Sequence, residues 1–398
     1  MITVTEAFRL VMENPLPGSV EKINLSSSLN RVLAQDIFAD RDAPPFHRVT
    51  MDGIALKASM INKTTIFPIE AIQAAGQEQL SLGKEENCIE VMTGAVLPAN
   101  TDCVIPYEKI QIIDNKAKIL NHSFSAFQNV HLKGTDAQLG DVLLPKNTYI
   151  HPGTIGVLAT VGQSEIEVYK NPNIVICSTG DELVNISDTP LTHQIRKSNV
   201  YMLQAALKDL GIDAKTVHIR DDKAQLKKVL ANLLEEHEIL LFSGAVSMGK
   251  FDFLPEVLEE LNIIKIIHGV SQKPGKPFLF GMDESHRVFG FPGNPASTLI
   301  CFHAYFKPWL MQHLGRKINR NEACLSQEII FKKPVSYHIL VRVKGEGEIL
   351  KVEPVSNSGS GDLVHLAEAD GFLTLPADQE IYEKGSVFPL TYLHHSWL

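Results

Sequence analysis

Three short segments gather glycine, hydroxyl and acidic residues in a way that suits an anion and its counter-cation. They are Ser178-Thr179-Gly180-Asp181-Glu182, Ser243-Gly244-Ala245-Val246-Ser247-Met248-Gly249 and Pro292-Gly293-Asn294-Pro295-Ala296-Ser297. The second and third are rich in Gly and hydroxyl groups and precede helical patterns. Free backbone N–H groups at a helix start, with the positive end of the helix dipole, suit phosphate. Taken singly, each segment reads as a tight turn, but three of them converging on one sheet edge favour the anion site. Neither GxxxxGK[ST] nor GxGxxG occurs, so the standard nucleotide-binding loops are not supported. A fourth segment, Lys273-Pro274-Gly275-Lys276-Pro277, sets two cations on a frame that proline stiffens by fixing φ. Such a pair suits charge-assisted contact with phosphate or another oxyanion. A solvated basic turn is the plainer alternative.

Carboxylates supply the other half of the chemistry. Asp181 and Glu182 follow one apolar run, Asp221 and Asp222 follow another, and Asp252 follows the second glycine loop. Acids beside anion-binding loops meet the needs of a Mg²⁺–phosphate site. Mg²⁺ takes one or two carboxylates and fills its other positions with water and phosphate oxygens. Singly, each acid reads as a helix cap or a surface group, Asp222 most of all as a cap. The N-terminal third has its own unusual turns. Pro44-Pro45-Phe46 leads to Met51-Asp52-Gly53, and Met92-Thr93-Gly94-Ala95 precedes Pro98, Asp102 and Glu108. Lys133-Gly134-Thr135-Asp136 follows. Local spacing does not connect these to the later loops.

The elements that must position these residues follow from periodicity. Ala7, Leu10 and Val11 repeat at helical spacing after Thr5, a candidate N-cap, and the pattern stops at Asn14-Pro15. Residues 42–136 break into short β-rich pieces with turn signals at Gly76, Gly83, Pro98 and Asp114-Asn115, which predicts a small β domain. Residues 134–162, punctuated by Gly and Pro, are expected to return onto the N-terminal helix. From 173 onward β and α patterns alternate: strands at 174–177, 214–219, 239–242, 263–267 and 288–291, helices at 198–211, 224–234, 254–261 and 296–314. Ser198 is the expected cap of the first of these helices. Alternation of this kind predicts βαβ units and a mainly parallel sheet, which binds ligands at the carboxyl ends of its strands. After Asn321, five strand patterns (328–331, 338–343, 349–352, 372–375, 387–390) predict a small barrel or sandwich.

Composition bounds the function classes. With 398 residues the chain has room for two to four domains at roughly 100–200 residues each. Its 37 Lys and Arg against 46 Asp and Glu give a formal net charge of −9, which argues against a general nucleic-acid or anionic-membrane binder. No apolar run approaches the ~18–20 residues of a membrane span. The N-terminus does not read as a signal peptide. The five cysteines form no CxxC pair, so neither a disulfide framework nor a zinc knuckle is indicated. A cytoplasmic, multi-domain protein is the expectation.

Seven stretches, in order, carry a resemblance: residues 44–55 (PPFHRVTMDGIA), 92–108 (MTGAVLPANTDCVIPYE), 178–183 (STGDEL), 195–199 (IRKSN), 243–253 (SGAVSMGKFDF), 268–281 (HGVSQKPGKPFLFG) and 291–298 (FPGNPAST). The sequence resembles the MoeA/gephyrin E-domain family, the molybdopterin molybdenumtransferases. That resemblance implies insertion of molybdenum from molybdate into adenylyl-molybdopterin with release of AMP, assisted by Mg²⁺. It implies a multi-domain α/β plus β fold: a three-layer α/β (MogA-like) domain, a β-rich insertion domain and a C-terminal small β-barrel, in an elongated homodimer. The implied boundaries are 1–41 with 137–172 for a discontinuous dimerisation domain and 42–136 for the β-rich domain facing the partner's site. Residues 173–318 would form the molybdopterin-binding domain, and 319–398 the barrel. A molybdopterin adenylyltransferase would be the upstream donor.

Carried over by the resemblance, the catalytic residues are Asp52, Thr93, Asp136, Glu182, Asp221 and Asp252, of which Glu182, Asp221 and Asp252 would hold the cation. Contacts to pterin and nucleotide phosphate would come from Gly180, Asp181, Ser198, Asn199, Ser243, Gly244, Ser247 and Gly249. Pro292, Gly293, Asn294 and Ser297 would add to them, with Lys273 and Lys276 as anion clamps. The chain departs from the pattern at four places. Lys197 replaces an acid, Ala245 a second glycine, His131 an arginine and Val49 a serine. Lys197 and Ala245 keep open a second reading, a pterin-binding or scaffold protein with weakened turnover. A third reading, another nucleotide-linked enzyme like the related adenylyltransferase and CinA-type modules, fits less well because those simpler modules lack the β-rich region.

Overall fold

The computed structural model describes residues 1–120, 123–246, 249, 252–318, 321–344, 350–356 and 358–394. Its contacts divide the chain into a larger unit (1–23, 30–34 and 167–398) and a smaller one (24–29 and 35–166). The larger unit opens with helix α1 (Val4–Met12). Its cap is Thr3, two residues before the expected Thr5, because the extended Thr3 backbone lets its hydroxyl accept from Glu6 N at 3.2 Å.

The smaller unit is built on a six-stranded sheet of β1 (Gly53–Leu56), β2 (Ile66–Gln73), β3 (Cys88–Val91), β4 (Cys103–Pro106), β5 (Ile110–Ile113) and β6 (Lys116–Ile119). The order is β4-β1-β3-β2-β6-β5. Both faces are covered: Ile54, Phe67, Ile105 and Ala117 pack on one side, Ala55, Val91 and Val104 on the other. Asp114 and Asn115, both at left-handed φ (47° and 58°), turn β5 into β6 as the sequence predicts. Gly53 is required by close approach, since a Cβ there would lie 2.0 Å from the Ile105 carbonyl oxygen. Helix α2 (Pro152–Thr160) packs on residues 25–27. Helix α1 does not share that packing; its buried Ala7 and Val11 enter the core of the larger unit.

In the larger unit the alternating region forms β7 (Ile174–Thr179), α3 (Asn199–Asp209), β8 (Lys215–Ile219), α4 (Lys223–Glu236), β9 (Ile239–Ser243), α5 (Leu254–Glu260) and β10 (Ile264–His268). It continues with β11 (Gln272–Lys273), β12 (Leu279–Met282), β13 (Arg287–Phe291), α6 (Pro295–Cys301) and α7 (Lys307–His313). The sheet order is β8-β7-β9-β13-β12-β10. Strands β7, β8, β9 and β13 are parallel, whereas β12 runs antiparallel to both neighbours. The sequence pattern did not separate β12, a four-residue run between Pro277 and Asp283, from a loop. Helices flank both faces in three layers. On one side Phe278, Phe289, Phe306 and Trp309 pack with α1 and α3, and on the other Val175, Leu240 and Phe242 pack with Leu230 and Val257.

The long helix expected at 296–314 is interrupted by a π-helical turn at Phe302–Phe306. Pro308, which has no N–H to return to Ala304, follows it after Lys307. Ser198 precedes α3 in the cap position but makes no side-chain cap bond, because its own backbone is already right-handed helical (φ −107°, ψ −41°).

The C-terminal strands β14 (Asn321–Leu325), β15 (Ser336–Lys344), β16 (Leu350–Pro354), β17 (Gly371–Leu375) and β18 (Val387–Tyr392) close into a barrel through the β15–β17 pairing. The barrel alternative therefore holds over the sandwich. Its interior is filled by Leu325, Val341, Val352, Leu373 and Phe388. No helix among the described residues is long and apolar enough to cross a membrane.

Candidate active site

Strand register brings the sequence-distant loops together. Thr179 of β7 is paired with Ile219 of β8, Ser178 with Ser243 of β9, and Ser243 with Phe291 of β13. The chain therefore leaves four neighbouring strands at one sheet edge, their carboxyl ends, where an open α/β sheet binds ligands. A cavity of about 1360 Å³ opens there, walled by all four loops, by the Lys273–Pro277 segment and by barrel residues that include Lys333, Tyr337 and Ser360.

Local hydrogen bonds fix the walls. Asn199, the first residue of α3, donates through Nδ2 to Ser243 Oγ and to the Gly293 carbonyl, both at 2.7 Å. It thereby ties the β9 and β13 loops together. Its Oδ1 is buried with no protein partner in the structure. Thr298 Oγ1 donates to Pro292 O at 2.6 Å, and Asn294 Nδ2 donates to Ser360 Oγ at 2.7 Å. The start of α6 is thus fastened to a loop of the barrel. Gly244 stands at φ +100° beside Thr179, where a Cβ would meet Oγ1 at 2.8 Å. Ala245 takes φ +56°, the left-handed region a glycine would occupy freely.

Most residues singled out in this part of the sequence line the cavity: Gly180, Glu182, Ser198, Asn199, Asp221, Ser243, Gly244, Asp252, Lys273, Lys276, Pro292, Gly293, Asn294 and Ser297. Asp181 and Gly249 are exposed and do not line it; Asp181 N makes a long 3.4 Å contact with Asp221 Oδ2, and Gly249 N donates to Asp252 Oδ2 at 3.3 Å. Ser247 lies outside the described residues. Asp222 is a cap, as its position predicts: its Oδ1 accepts from Gln225 N at 2.7 Å.

The acids share one field. Burial pushes the Asp221 carboxyl above its ordinary value, and the like charges of Asp181, Glu182 and Asp252 add to that against the opposing Asp181 N–H. Among the described residues, no three His, Cys, Asp or Glu side chains are arranged to hold a metal ion by themselves. Glu182, Asp221 and Asp252 are therefore acids on one cavity wall rather than a preformed cage. Concentrated negative charge with a raised acid still fits a cation that brings water and phosphate oxygens as its remaining ligands.

The basic side is braced from the core. Strand β11 pairs in parallel with β15, Lys273 opposite Tyr337, and Lys273 Nζ lies 5.8 Å from the centre of the Phe331 ring. Behind it, buried Gln272 donates through Nε2 to Gly275 O at 3.1 Å, and its Oε1 accepts from the Tyr305 hydroxyl and from His338 Nε2. His338 Nδ1 meets Thr374 Oγ1 at 3.1 Å, and burial pushes its pKa down to about 4, which keeps it neutral at ordinary pH. Gly275 (φ +91°) admits no side chain, since a Cβ would lie 2.5 Å from Cys301 Sγ. The prolines are thus only part of the stiff frame. Sequence spacing gave no sign of Gln272, His338, Lys333, Tyr337 or Ser360. For His338 a signal was available, a histidine beside the apolar run Ile339–Val341 of one strand.

In the smaller unit, the Asp52 carboxylate accepts from Thr93 N at 2.6 Å, and the Thr93 backbone and side chain hold its pKa below the usual value. His131 bridges Arg48 and Asp136: Arg48 NH2 lies 3.0 Å from Nδ1, and Nε2 lies 2.9 Å from Asp136 Oδ1. A guanidinium only donates, so Nδ1 accepts and Nε2 carries the proton offered to Asp136. Lys133 Nζ pairs with Asp42 at 3.3 Å, and Lys133 N donates to His47 Nδ1 at 3.1 Å. Within this unit the turns hold one another: the Asp52 turn with Thr93, and the 131–136 turn with Arg48 and Asp42.

Comparison with known proteins agrees along the whole chain. Three family models match in order: the MoeA N-terminal region (domain I and II) over residues 2–162, a probable molybdopterin binding domain over 175–312, and the MoeA C-terminal region (domain IV) over 322–393. A molybdopterin molybdenumtransferase from Synechocystis is 38% identical, the match covering 98% of this chain and 99% of the relative. One from Bacillus subtilis is 33% identical, over 96% and 92%. The crystal structure of a molybdopterin biosynthesis MoeA protein from Pyrococcus horikoshii OT3 matches with a TM-score of 0.80 at 26% identity, covering 98% of this chain and all of that one.

Proposed function

The chain belongs to the MoeA family of molybdopterin molybdenumtransferases, and from that premise we propose that it inserts molybdenum from molybdate into adenylyl-molybdopterin with release of AMP. The observation that carries this reading is a single cavity with acids at one set of strand ends and a braced lysine pair at another. A phosphate-linked pterin and a small oxyanion each find complementary charge there. Lys273 and Lys276 attract and orient the oxyanion by charge-assisted hydrogen bonds. Asn199, by holding the β9 and β13 loops together, keeps their backbone in place for the pterin and nucleotide phosphates.

Glu182, Asp221 and Asp252 are the groups that would hold Mg²⁺. When bound, it would polarise phosphate oxygens as a Lewis acid. Asp221, raised by burial and by its acidic neighbours, would be relieved by a cation beside it. The reading includes a cytoplasmic homodimer in which a second copy supplies Asp52, Thr93 and Asp136, and a molybdopterin adenylyltransferase as donor. Within the smaller unit, Thr93 holds Asp52 ionised, and His131 donates through Nε2 to Asp136. The departure at Ala245 keeps the backbone path a glycine would follow, which supports turnover over a scaffold role.

The test is AMP release from adenylyl-molybdopterin with Mg²⁺ and molybdate. Molybdate-dependent release is expected from the unmodified chain, with a loss of about 100-fold or more in Asp252→Ala and Asp52→Ala if each acid supports the reacting groups. Tight pterin binding without molybdate-dependent release would instead favour a binding protein.

A further inference from the structure

The lysine frame is a closed loop with one buried polar side chain inside it. Val270 N donates to Lys276 O at 2.9 Å, which brings the two ends of the 270–276 segment together. Within that span, buried Gln272 reaches Gly275 O through Nε2 at 3.1 Å. A carbonyl oxygen only accepts, so the amide nitrogen of Gln272 faces Gly275 and Oε1 faces away from it. Oε1 in turn only accepts, so the Tyr305 hydroxyl and His338 Nε2 both donate to it. His338 is neutral, and with its proton on Nε2 it accepts from the Thr374 hydroxyl at Nδ1, 3.1 Å away. One pattern of donors and acceptors thus satisfies the chain Thr374–His338–Gln272–Gly275, which runs from barrel strands β17 and β15 into the lysine loop. Gln272 and His338 both line the cavity, yet their polar side-chain atoms are all taken by the protein. They have nothing left to offer a ligand directly. What they do fix is a separation: Gln272 immediately precedes Lys273, and Gly275 immediately precedes Lys276.

We propose that Gln272 and His338 are positioning residues for the oxyanion substrate: by tying together the two residues that precede Lys273 and Lys276, they set the spacing of the lysine pair and with it the affinity for molybdate. A lysine side chain is flexible beyond its Cα, so the backbone separation is the part of the clamp that the fold presets, and presetting it lowers the ordering cost of binding. Oxyanion affinity then depends on the barrel, through His338, although His338 touches no ligand. The inference rests on the reading of Lys273 and Lys276 as the anion clamp.

Steady-state AMP release by the full chain, with adenylyl-molybdopterin and Mg²⁺ saturating and molybdate varied, tests it. His338→Leu and Gln272→Met should raise KM for molybdate by about tenfold or more, while kcat and KM for adenylyl-molybdopterin stay within about threefold. His338→Gln, whose amide still has a donor for Gln272 Oε1, should restore most of the molybdate affinity. An unchanged KM for molybdate in both apolar variants overturns the inference, as does a His338→Gln variant no better than His338→Leu. A fall in kcat with both KM values raised also overturns it, because that is the mark of a merely structural role. Where the apolar variants do not fold, Tyr305→Phe, which removes one of the two donors to Gln272 Oε1, should raise KM for molybdate about threefold, and no rise overturns the inference. If the unmodified chain shows no molybdate-dependent AMP release, the proposed function fails. Titration calorimetry with molybdate alone then reads the clamp directly, with about tenfold weaker binding expected in Gln272→Met and equal binding overturning the inference.

Discussion

At the scale of single residues, charge placement explains more than charge count. Asp221 is an acid held where ionisation is unfavourable, by burial first and by Asp181, Glu182 and Asp252 after that. An acid whose folded pKa is raised binds more protons folded than unfolded between the two values, so stability falls as pH rises through that window. Above it the carboxylate opposes folding until a cation or ligand neutralises it. Asp221→Asn is therefore expected to raise the thermal unfolding midpoint of the ligand-free chain at neutral pH. The gain should disappear as pH falls through the Asp221 titration, above the ordinary aspartate range. Scanning calorimetry across pH checks this, and a lower midpoint for the variant at neutral pH would contradict it. Asp52 shows the opposite arrangement, since its hydrogen bonds from Thr93 favour the charged form. Two carboxyls that look alike in the sequence are thus tuned in opposite directions by their surroundings.

Among the elements, the loops at the carboxyl ends of β7, β9 and β13 carry the site, and their backbone conformations limit which residues fit. Gly180 and Gly244 use positive φ, and Ala245 follows Gly244 at φ +56°. Alanine in the left-handed region is disfavoured by roughly 1–2 kcal/mol. Ala245→Gly is expected to recover a part of that, about 1 kcal/mol net of the extra freedom it gives the unfolded chain. The change would be read as a higher urea midpoint with an unchanged slope; a lower midpoint would show that the methyl group packs usefully against its neighbours. Periodicity found the parallel strands and flanking helices because each repeats its apolar residues over several turns or rungs. It did not find β12, four residues long, nor the π-helical turn at Phe302–Phe306. Both depend on hydrogen bonds to neighbours or on Pro308 rather than on a repeat.

For the molecule as a whole, the formal charge of −9 is no guide to the site. The cavity is lined by Arg196, Lys197, Lys273, Lys276 and Lys333 against Glu182, Asp221 and Asp252, a basic enclosure in an acidic protein. If a second copy supplies Asp52, Thr93 and Asp136, as proposed, light scattering at micromolar concentration should give twice the mass of one chain. A monomeric mass would remove the basis for a shared site. The sequence alone determined the kinds of element, their order and the loops that could carry charge, because backbone propensity, apolar period and turn residues act over a few neighbouring positions. It set the glycine loops and the acids at neighbouring strand ends of one sheet without showing which side chains meet there. Only the tertiary structure decided the register that sets Thr179 beside Ile219 and Ser243 beside Phe291, that β15–β17 pairing closes a barrel, and that barrel residues wall the cavity. Gln272, Tyr305 and His338 likewise meet only in the fold, to brace the lysine frame. These relations join positions far apart in the chain through strand register and desolvation, and neither leaves a local period for the sequence to display.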